Sequence, residues 1–534
     1  MKINCFGVHN FRSIKNILIK FPKNKPLVLF GPNNAGKSNI LTALSIALGE
    51  SYPTYRTMEE SDYYLRDKNT YPNIEFYCEF DAPYHSDKYN NEYNAITISY
   101  NYDIKGEGKE NVIRNGNKKL FVSSEQRAQC QAIYLDAVRN IGSSLSYSSK
   151  YSLLSKFSSQ IHEHLKQDKK EQLNQLFEQI KSLFNETTEF KKFFEKFRSS
   201  VDNAVKGFVH TLDVDFSGYD PNNYTKSLRI VGKEGDFVRS FEELGTGEQQ
   251  VLLMAFAKAY METFNNTNFI LIIEEPEAHL HPIAQRWLKR YILEMCSAGI
   301  QVVLSTHSPE FIDANCLDGL VKVYKNNGVT NVQQVDANEL YQFCIDTGVP
   351  QTKINPNNIL DFYSASLSID QLKGLFAQKI ILVEGETELF SLPYYFDKVG
   401  FNLDSNGVEI VNCDGKNNIA KYYRFFKTYG YQCFCIFDAD NHNHEQQENK
   451  ELVSLLNISI IDVAPNAFNV GNEYGCFGHD YETYLRNTIS EYSSLENLIK
   501  AELITGSKRQ VARAVSQKIT QTPDFIRLIA KKLQ

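Results

Sequence analysis

"GPNNAGKS", residues 31–38, decides the fold of the first half of the chain. It fits the pattern G-x4-G-K-[ST] and lies between an aliphatic run, "PLVLF", and a helix-forming run, "NILTALSIALG". Strand, glycine loop and helix in that order close backbone N–H groups around phosphates at a helix N-terminus. Gly31 and Gly36 permit the close approach, and Asn33 and Asn34 lie in the loop between them as further nucleotide-binding candidates. Lys37 is placed to reach the β- and γ-phosphates of ATP and Ser38 to hold Mg2+.

Working outward, "FILIIEEPEAHLHP" (residues 269–282) is an aliphatic strand that delivers Glu274 and Glu275 at its end. The first suits the Mg2+ water shell and the second suits polarising an attacking water. "VVLSTHSPEF" places His307 at the end of another buried strand, where an imidazole can sense a γ-phosphate. "ELGTGEQQ" (residues 243–250) is a glycine-bearing loop opening a helix, a second anion-binding N-terminus. This set, in this order, resembles the ABC-type ATPase heads of the RecF, Rad50 and SMC group. "VHNFRSIKN" resembles their N-terminal strand, which implies that Arg12 lies beside the nucleotide. The resemblance also implies a composite ATP site completed by the signature loop of a second subunit, with Thr246 carrying the hydroxyl and Gly247 beside it. Two departures leave the hydrolysis rate open: Glu274 stands where the group has Asp, and "LGTGEQ" replaces "LSGGQ".

In the second half an α/β pattern restarts at "AQKIILVEGETELFSLPYYF" and continues through "GVEIVNCDG", "NIAKYYRFFKTYG" and "QCFCIFDAD", which predicts a second parallel sheet. Glu384 ends the first strand, and Glu388, four residues on, is expected on the same helical face. Asp438 and Asp440 end another strand, where i, i+2 spacing predicts that both point to one side. Strand C-termini converge on one sheet edge, so the four carboxylates can share a cleft suited to Mg2+ or Mn2+. The constellation resembles the Toprim domain of topoisomerases, primases and nucleases. A RecF-like ATPase followed by Toprim resembles the OLD (overcoming lysogenisation defect) nucleases, which include the ATPase–nuclease subunit of the Gabija anti-phage system. "VNCDGKNNIAKY" and "GHDYETYL" resemble later Toprim blocks, and "GSKRQVARAV" the C-terminal lysine block. The resemblance implies that Glu384, Glu388, Asp438 and Asp440 are metal ligands, that Asp480 or Glu482 completes a second metal, and that Lys508 stabilises charge at the scissile phosphate. Asp414 and Lys416 are further candidates, whereas Glu386 is expected to face solvent.

The fold class expected is therefore α/β: a RecF/Rad50-like ABC ATPase head with a helical insertion, followed by a Toprim (Rossmann-like parallel sheet) domain. Its segments are 1–150 and 209–345 for the ATPase, 151–208 for the helical insertion, 346–374 for a linker, and 375–534 for Toprim with a basic helical C-terminus. In the insertion Leu173, Leu176, Phe177, Ile180, Leu183 and Phe184 keep helical spacing, and Phe190, Phe193, Phe194 and Phe197 continue it. Such a stripe packs within the molecule or against a partner helix, and the insertion is assigned to dimerisation.

The balance of 42% hydrophobic and 23% charged residues is that of a globular protein, and 534 residues exceed one core. The ten cysteines are scattered; Cys433 and Cys435 lie in an apolar run and read as buried strand thiols. No membrane-spanning run or secretory apolar segment is found, so a cytoplasmic protein is expected. A net charge of −7 excludes a wholly basic nucleic-acid coat and leaves room for a local basic path, as from Lys500 to the C-terminus. His442 and His444 read as loop residues, and His279 and His281 as structural or head–head contacts. Together these readings predict an ATP-binding, metal-dependent DNA endonuclease acting as a homo-oligomer, a dimer or tetramer, with a companion defence protein such as a helicase as a further partner. The rival class is an ATP-gated sensor or scaffold, RecF-like and DNA-end binding, that relies on a partner for the effector step.

Overall fold

The computed structural model describes residues 1–49, 58–86, 91–101, 113–115, 118–120, 130–135, 153–188, 191–192, 195, 231–234, 237–240, 243–264, 269–278, 280–503 and 506–534. The chain divides into two compact units, Met1–Tyr134 with Asn268–Gln534, and Leu135–Thr267. The strands, in chain order, are β1 (Ile3–Phe11), β2 (Ile14–Lys20), β3 (Leu27–Phe30), β4 (Asn73–Ser86), β5 (Asn91–Asn101), β6 (Ile113–Asn115), β7 (Lys118–Leu120), β8 (Gln131–Leu135), β9 (Val231–Glu234), β10 (Phe237–Ser240), β11 (Phe269–Glu274), β12 (Gln301–Thr306), β13 (Leu320–Asn326), β14 (Val329–Gln334), β15 (Lys379–Val383), β16 (Val408–Asn412), β17 (Gln432–Asp438), β18 (Phe468–Val470) and β19 (Tyr474–Phe477).

Ten strands form one mixed sheet in the order β5-β4-β1-β2-β14-β13-β3-β12-β11-β8. The parallel run β13-β3-β12-β11 lies inside it, with Val303 opposite Leu27 and Ile272 opposite Val303. All four residues of β3 are buried, as a strand covered on both faces must be, and its end delivers the glycine loop. The other half, β2-β1-β4-β5, is antiparallel throughout. The helix Lys37–Leu48 packs its Ile40, Leu41 and Leu44 into the core beneath this sheet.

A second sheet, β16-β15-β17-β19-β18, is parallel except for the β18 edge. The run "KIILV" is β15, flanked by β16 and β17, and Ile380 to Val383 are fully buried. Both cysteines of "QCFC" are buried in β17, as read from the sequence, and all ten cysteines of the chain are free thiols. Residues 346–374, expected as a linker, are built into the first unit: Ile354, Ile359, Tyr363 and Leu372 are buried, and Gln371 donates to the Asn412 carbonyl at 3.1 Å. The two sheets of this unit also touch directly. Phe30 lies 6.0 Å from Tyr429 and 5.9 Å from Phe376, centroid to centroid.

In the second unit the helices Leu153–Asp168, Lys170–Glu186 and Thr246–Phe264 accompany the hairpin β9-β10. Phe157 packs edge-on against Phe256 at 5.6 Å. Leu176, Ile180 and Leu183 of the expected stripe are 56%, 40% and 65% exposed, so these three do not serve as core. The side chains of Leu173, Phe177 and Phe184, and residues Phe190, Phe193, Phe194 and Phe197, lie outside the described residues. Among the described residues no helix is long and apolar enough to cross a membrane.

Candidate nucleotide and metal sites

Gly31 and Gly36 show why the loop needs glycine. Gly31 has φ 146°, and a Cβ there would stand 2.0 Å from the Val323 carbonyl oxygen. Gly36 has φ 110°, and its Cβ would stand 2.2 Å from Thr330 Oγ1. The loop rims a cavity of about 600 Å3 lined by Asn33, Asn34, Lys37, Ser38, Glu275 and His307, with Asn39 beside them. Lys37 is 5% exposed and folds back to donate to the carbonyls of Gly31 and Pro32 at 3.0 and 3.1 Å. Burial pulls its ammonium down to about 8, against Glu275, Glu277 and Glu274, which favour the charged form. An ammonium, a hydroxyl and a glycine loop at a helix N-terminus are donors of the kind that fit a nucleoside triphosphate and its divalent cation.

Glu274 ends β11 and accepts a hydrogen bond from the Tyr134 hydroxyl on the β8 edge. Glu275 follows at φ 46°, its N–H donating to the Ser305 carbonyl at 3.0 Å. Its carboxylate lies 3.5 Å from His307 Nε2. Burial, then the Lys37 charge, holds the His307 imidazole below its usual pKa. A third carboxylate, Glu277, fixes this edge by accepting from Thr306 Oγ1 at 2.9 Å and from the His307 N–H at 2.5 Å. Glu277 and Tyr134 were not singled out from the sequence; the "EEPE" spacing held a signal for the first, and nothing local held one for the second. Arg12 is bound to Asp62 at 2.9 Å and reaches the cavity wall only through Asn39, 3.3 Å from Nη1. Its expected place beside the nucleotide is thus one residue removed.

In the second unit Thr246 and Gly247 open the helix Thr246–Phe264, and Glu248 accepts from the Gly245 N–H at 3.1 Å, an N-terminal cap. His281 caps another helix, Pro282–Ser297, accepting from the Ile283 N–H at 3.4 Å. His279 lies outside the described residues.

The carboxylates of the second sheet gather at the ends of β15 and β17, though not by the geometry the spacing predicted. Glu384 precedes the helix Glu386–Lys398, which begins only after Gly385, so Glu384 and Glu388 do not share a helical face. Instead Glu388 turns back to accept from the Gly385 N–H at 3.2 Å, and Glu384 accepts from the Asp438 N–H at 3.4 Å. The i, i+2 reading of Asp438 and Asp440 also fails: β17 stops at Asp438, and Asp440 has left-handed φ 55°. Asp438 is partly buried, with its Oδ1 atom buried and lacking any hydrogen bond, while Asp440 is half exposed and paired with Lys416 Nζ at 2.5 Å. Lys416 also donates to the Asp438 carbonyl at 2.9 Å, which ties the helix Lys416–Thr428 to the acidic edge.

Of the two later carboxylates, Glu482 is the one whose charge acts on Glu384, Glu388 and Asp438. Asp480 caps the helix Tyr481–Thr488, accepting from the Thr483 N–H at 2.7 Å and meeting His479 Nδ1 at 2.5 Å. Against the effect of burial, the Thr483 bonds hold Asp480 below the usual carboxylate range. Burial, then Glu388, Glu384 and Glu482, pushes the Asp438 carboxyl well above it. Burial likewise raises Glu384, and raises Glu388 to about 7 with help from Glu482 and Glu384. Asp414 accepts from Asn412 at 2.8 Å and Gln371 at 3.3 Å and belongs to the β16 turn. Lys508 begins the helix Lys508–Lys518, which packs on Glu386–Lys398. Glu386 is not simply solvated: it pairs with Arg509 at 3.0 Å across these two helices. His442 lies 3.8 Å from Glu448, in the loop where it was expected.

Among the described residues no three His, Cys, Asp or Glu side chains converge closely enough to hold a metal ion as placed. The donor chemistry nonetheless fits one. A buried carboxylate oxygen without a partner, under the repulsive charge of several carboxylates, is one that a hard cation would satisfy.

Comparison with known proteins follows the same division. Residues 1–123 and 54–312 match the family described as AAA ATPase domain, and together they span more than half of the chain. Residues 375–440, which hold Glu384, Glu388, Asp438 and Asp440, match the family described as overcoming lysogenization defect protein-like, TOPRIM domain. The chain belongs to the AAA ATPase domain family and carries an OLD-like TOPRIM domain. It is 27% identical over 480 residues to an OLD nuclease of Thermus scotoductus, covering 83% of this chain and 85% of that protein. It is 23% identical over 440 residues to endonuclease GajA of Bacillus cereus, covering 78% and 71%. Among solved structures, the Smc head domain of Pyrococcus furiosus bound to the C-terminal domain of ScpA aligns with a TM-score of 0.40 at 13% identity, covering 65% of this chain and 99% of that one. The TOPRIM match ends at Asp440, so Glu482 and Lys508 lie beyond it.

Proposed function

We propose that the chain is an ATP-binding, divalent-metal-dependent DNA endonuclease whose TOPRIM carboxylates cleave phosphodiester bonds under control of the nucleotide site. The observation that carries this reading is the buried, unpartnered Oδ1 of Asp438 under the charges of Glu384, Glu388 and Glu482, an all-oxygen set around the ends of two parallel strands. Bound there, Mg2+ or Mn2+ supplies activation of a water and neutralisation of the leaving oxygen. Asp438, Glu384 and Glu388 are the ligands this chain offers, with Glu482 in place of Asp480 toward a second ion. Lys416 holds Asp440 in its left-handed turn, and Lys508 is the candidate for charge stabilisation at the phosphate.

Control by nucleotide has a physical route. Phe30, the residue before Gly31, packs on Tyr429, which follows the helix Lys416–Thr428. Lys322, beside the Val323 that crowds Gly31, donates to the Tyr429 carbonyl at 3.1 Å, and Gln333 donates to the Thr428 carbonyl at 3.0 Å. The other end of that helix is Lys416, on Asp438 and Asp440. A shift of the phosphate loop is thereby delivered through one rigid element to the acidic edge. Lys37, Ser38, Asn33 and Asn34 bind the phosphates and Mg2+, Glu274, Glu275 and His307 act on the γ-phosphate, and Thr246 and Gly247 of a second subunit complete the site. Exposed Leu176, Ile180 and Leu183 suit a homo-oligomer through the insertion. The resemblance to the Gabija subunit extends the reading to anti-phage defence in the cytoplasm with a companion protein.

The test is plasmid cleavage with Mg2+ or Mn2+ across ATP concentrations. Persistence of full cleavage in Glu384→Ala plus Asp438→Ala sinks the nuclease assignment, and unchanged nucleotide dependence in Lys37→Ala sinks the regulatory one. The splayed carboxylates favour one rival, an ATP-gated scaffold. Absence of cleavage by the purified chain, restored by a companion protein, selects that rival.

A further inference from the structure

A cleft of about 570 Å3 lies between residues 344–363 and the helix Lys416–Thr428, apart from both sites above. Its floor belongs to the core: Cys344, Ile359, Tyr363 and Arg424 are each at most 2% exposed. Its lining carries four cations, Lys353, Lys421, Arg424 and Lys450, against one carboxylate, Glu451. That carboxylate is already engaged by Arg424 Nη1 at 2.8 Å, and Arg424 Nε and Nη2 donate to the Thr347 hydroxyl and carbonyl at 2.7 and 2.9 Å. Three ammonium groups therefore face the cleft with no ion-pair partner among the described residues.

Lys421 is the telling one. Its Nζ donates to Ser366 Oγ and lies 4.4 Å from the Phe362 ring centroid. It is half-buried, and that burial lowers its pKa, so a charged group is being desolvated without a counter-ion. A half-buried charge without a counter-ion costs stability that a bound anion offsets.

We propose that this cleft binds a small phosphorylated molecule. The volume lies in the range of small-ligand sites, roughly 300–1,000 Å3, and the closed floor suits a compact ligand better than a strand of duplex. Ammonium groups on flexible stems match a phosphate as point charges. The amides of Asn417 and Asn418 offer donors and acceptors to further oxygens, and Phe362, 46% exposed, gives an apolar face to any ring that accompanies them.

Isothermal titration of the full chain tests it, with adenosine monophosphate and inorganic pyrophosphate as probes and Lys37→Ala as the background that removes the phosphate-loop cation. Binding of either probe at one site is expected to survive Lys37→Ala. It is expected to weaken on the order of tenfold in Lys353→Glu plus Lys450→Glu and in Lys421→Met. The two rim lysines are exposed, so their reversal is checked by an unchanged unfolding midpoint. Tighter binding of the nucleotide assigns a nucleotide, and tighter binding of pyrophosphate assigns an inorganic phosphate. No binding by either, an affinity indifferent to charge reversal, or displacement of the probe by short duplex DNA overturns the proposal.

Discussion

Substituting Glu388→Gln should stabilise the metal-free protein while removing its cleavage. Glu388 is 5% exposed, and burial with Glu482 and Glu384 lifts its carboxyl from the usual 4.5 to about 7. A carboxyl raised by folding favours the folded state fully below its unfolded pKa, and that contribution is lost as pH climbs through the folded one. A rise of this size corresponds to about 3 kcal/mol. The metal-free chain therefore loses about 3 kcal/mol at this residue between pH 4.5 and about 7, with Asp438 and Glu384 shifted in the same direction. Glutamine removes the charge and keeps an oxygen for the Gly385 N–H. Denaturant unfolding in EDTA at about pH 5 and about pH 8 reads the difference. Near-equal stabilities are expected at the lower pH, and a variant more stable by about 2–3 kcal/mol at the higher one. Excess Mg2+ should narrow or reverse the gap, because only the wild type retains the full proposed ligand set. A variant no more stable than wild type in EDTA at the higher pH refutes the reasoning.

Three other outcomes are expected. Gly36→Ala places a Cβ 2.2 Å from Thr330 Oγ1 at φ 110°, and should weaken binding of a non-hydrolysable ATP analogue by about a hundredfold; wild-type affinity by titration would show that the loop yields freely. Lys416→Ala releases Asp440, and kcat for plasmid cleavage should fall roughly tenfold to a hundredfold with little change in KM; an unchanged kcat removes Lys416 from the site. Phe30→Leu keeps an apolar side chain but deletes the ring contact with Tyr429, so the nucleotide effect on cleavage should shrink while nucleotide affinity stays within about threefold; a full nucleotide effect argues for another route.

The phosphate loop was legible because its chemistry is local: strand, glycines, lysine and helix are contiguous, and the steric need for Gly31 and Gly36 is met by β13 and Thr330, which only the fold supplies. That Glu384, Glu388 and Asp438 gather at one sheet edge was legible, but the geometry by which they do so was not. Reading Asp438 and Asp440 by strand periodicity assumed that β17 continues, whereas the backbone turns left-handed at Asp440 so that its carboxylate meets Lys416. Reading Glu384 and Glu388 by helical periodicity assumed a helix that starts two residues later. The choice between Asp480 and Glu482 turns on capping: an Asp before "YET" is a natural N-cap, and its oxygens are spent on Thr483. Lys416 was a lesser candidate because its partners lie 22 and 24 residues away. The Phe30–Tyr429 contact joins residues about 400 positions apart and no local pattern announces it.

The most direct test is plasmid cleavage by Asp438→Asn in Mn2+, with ATP-analogue affinity measured on the same preparation. Loss of cleavage with wild-type nucleotide affinity is the predicted result, since Asp438 sits at the acidic edge and not at the phosphate loop. Cleavage at the wild-type rate would contradict the assignment of that edge as the cutting centre.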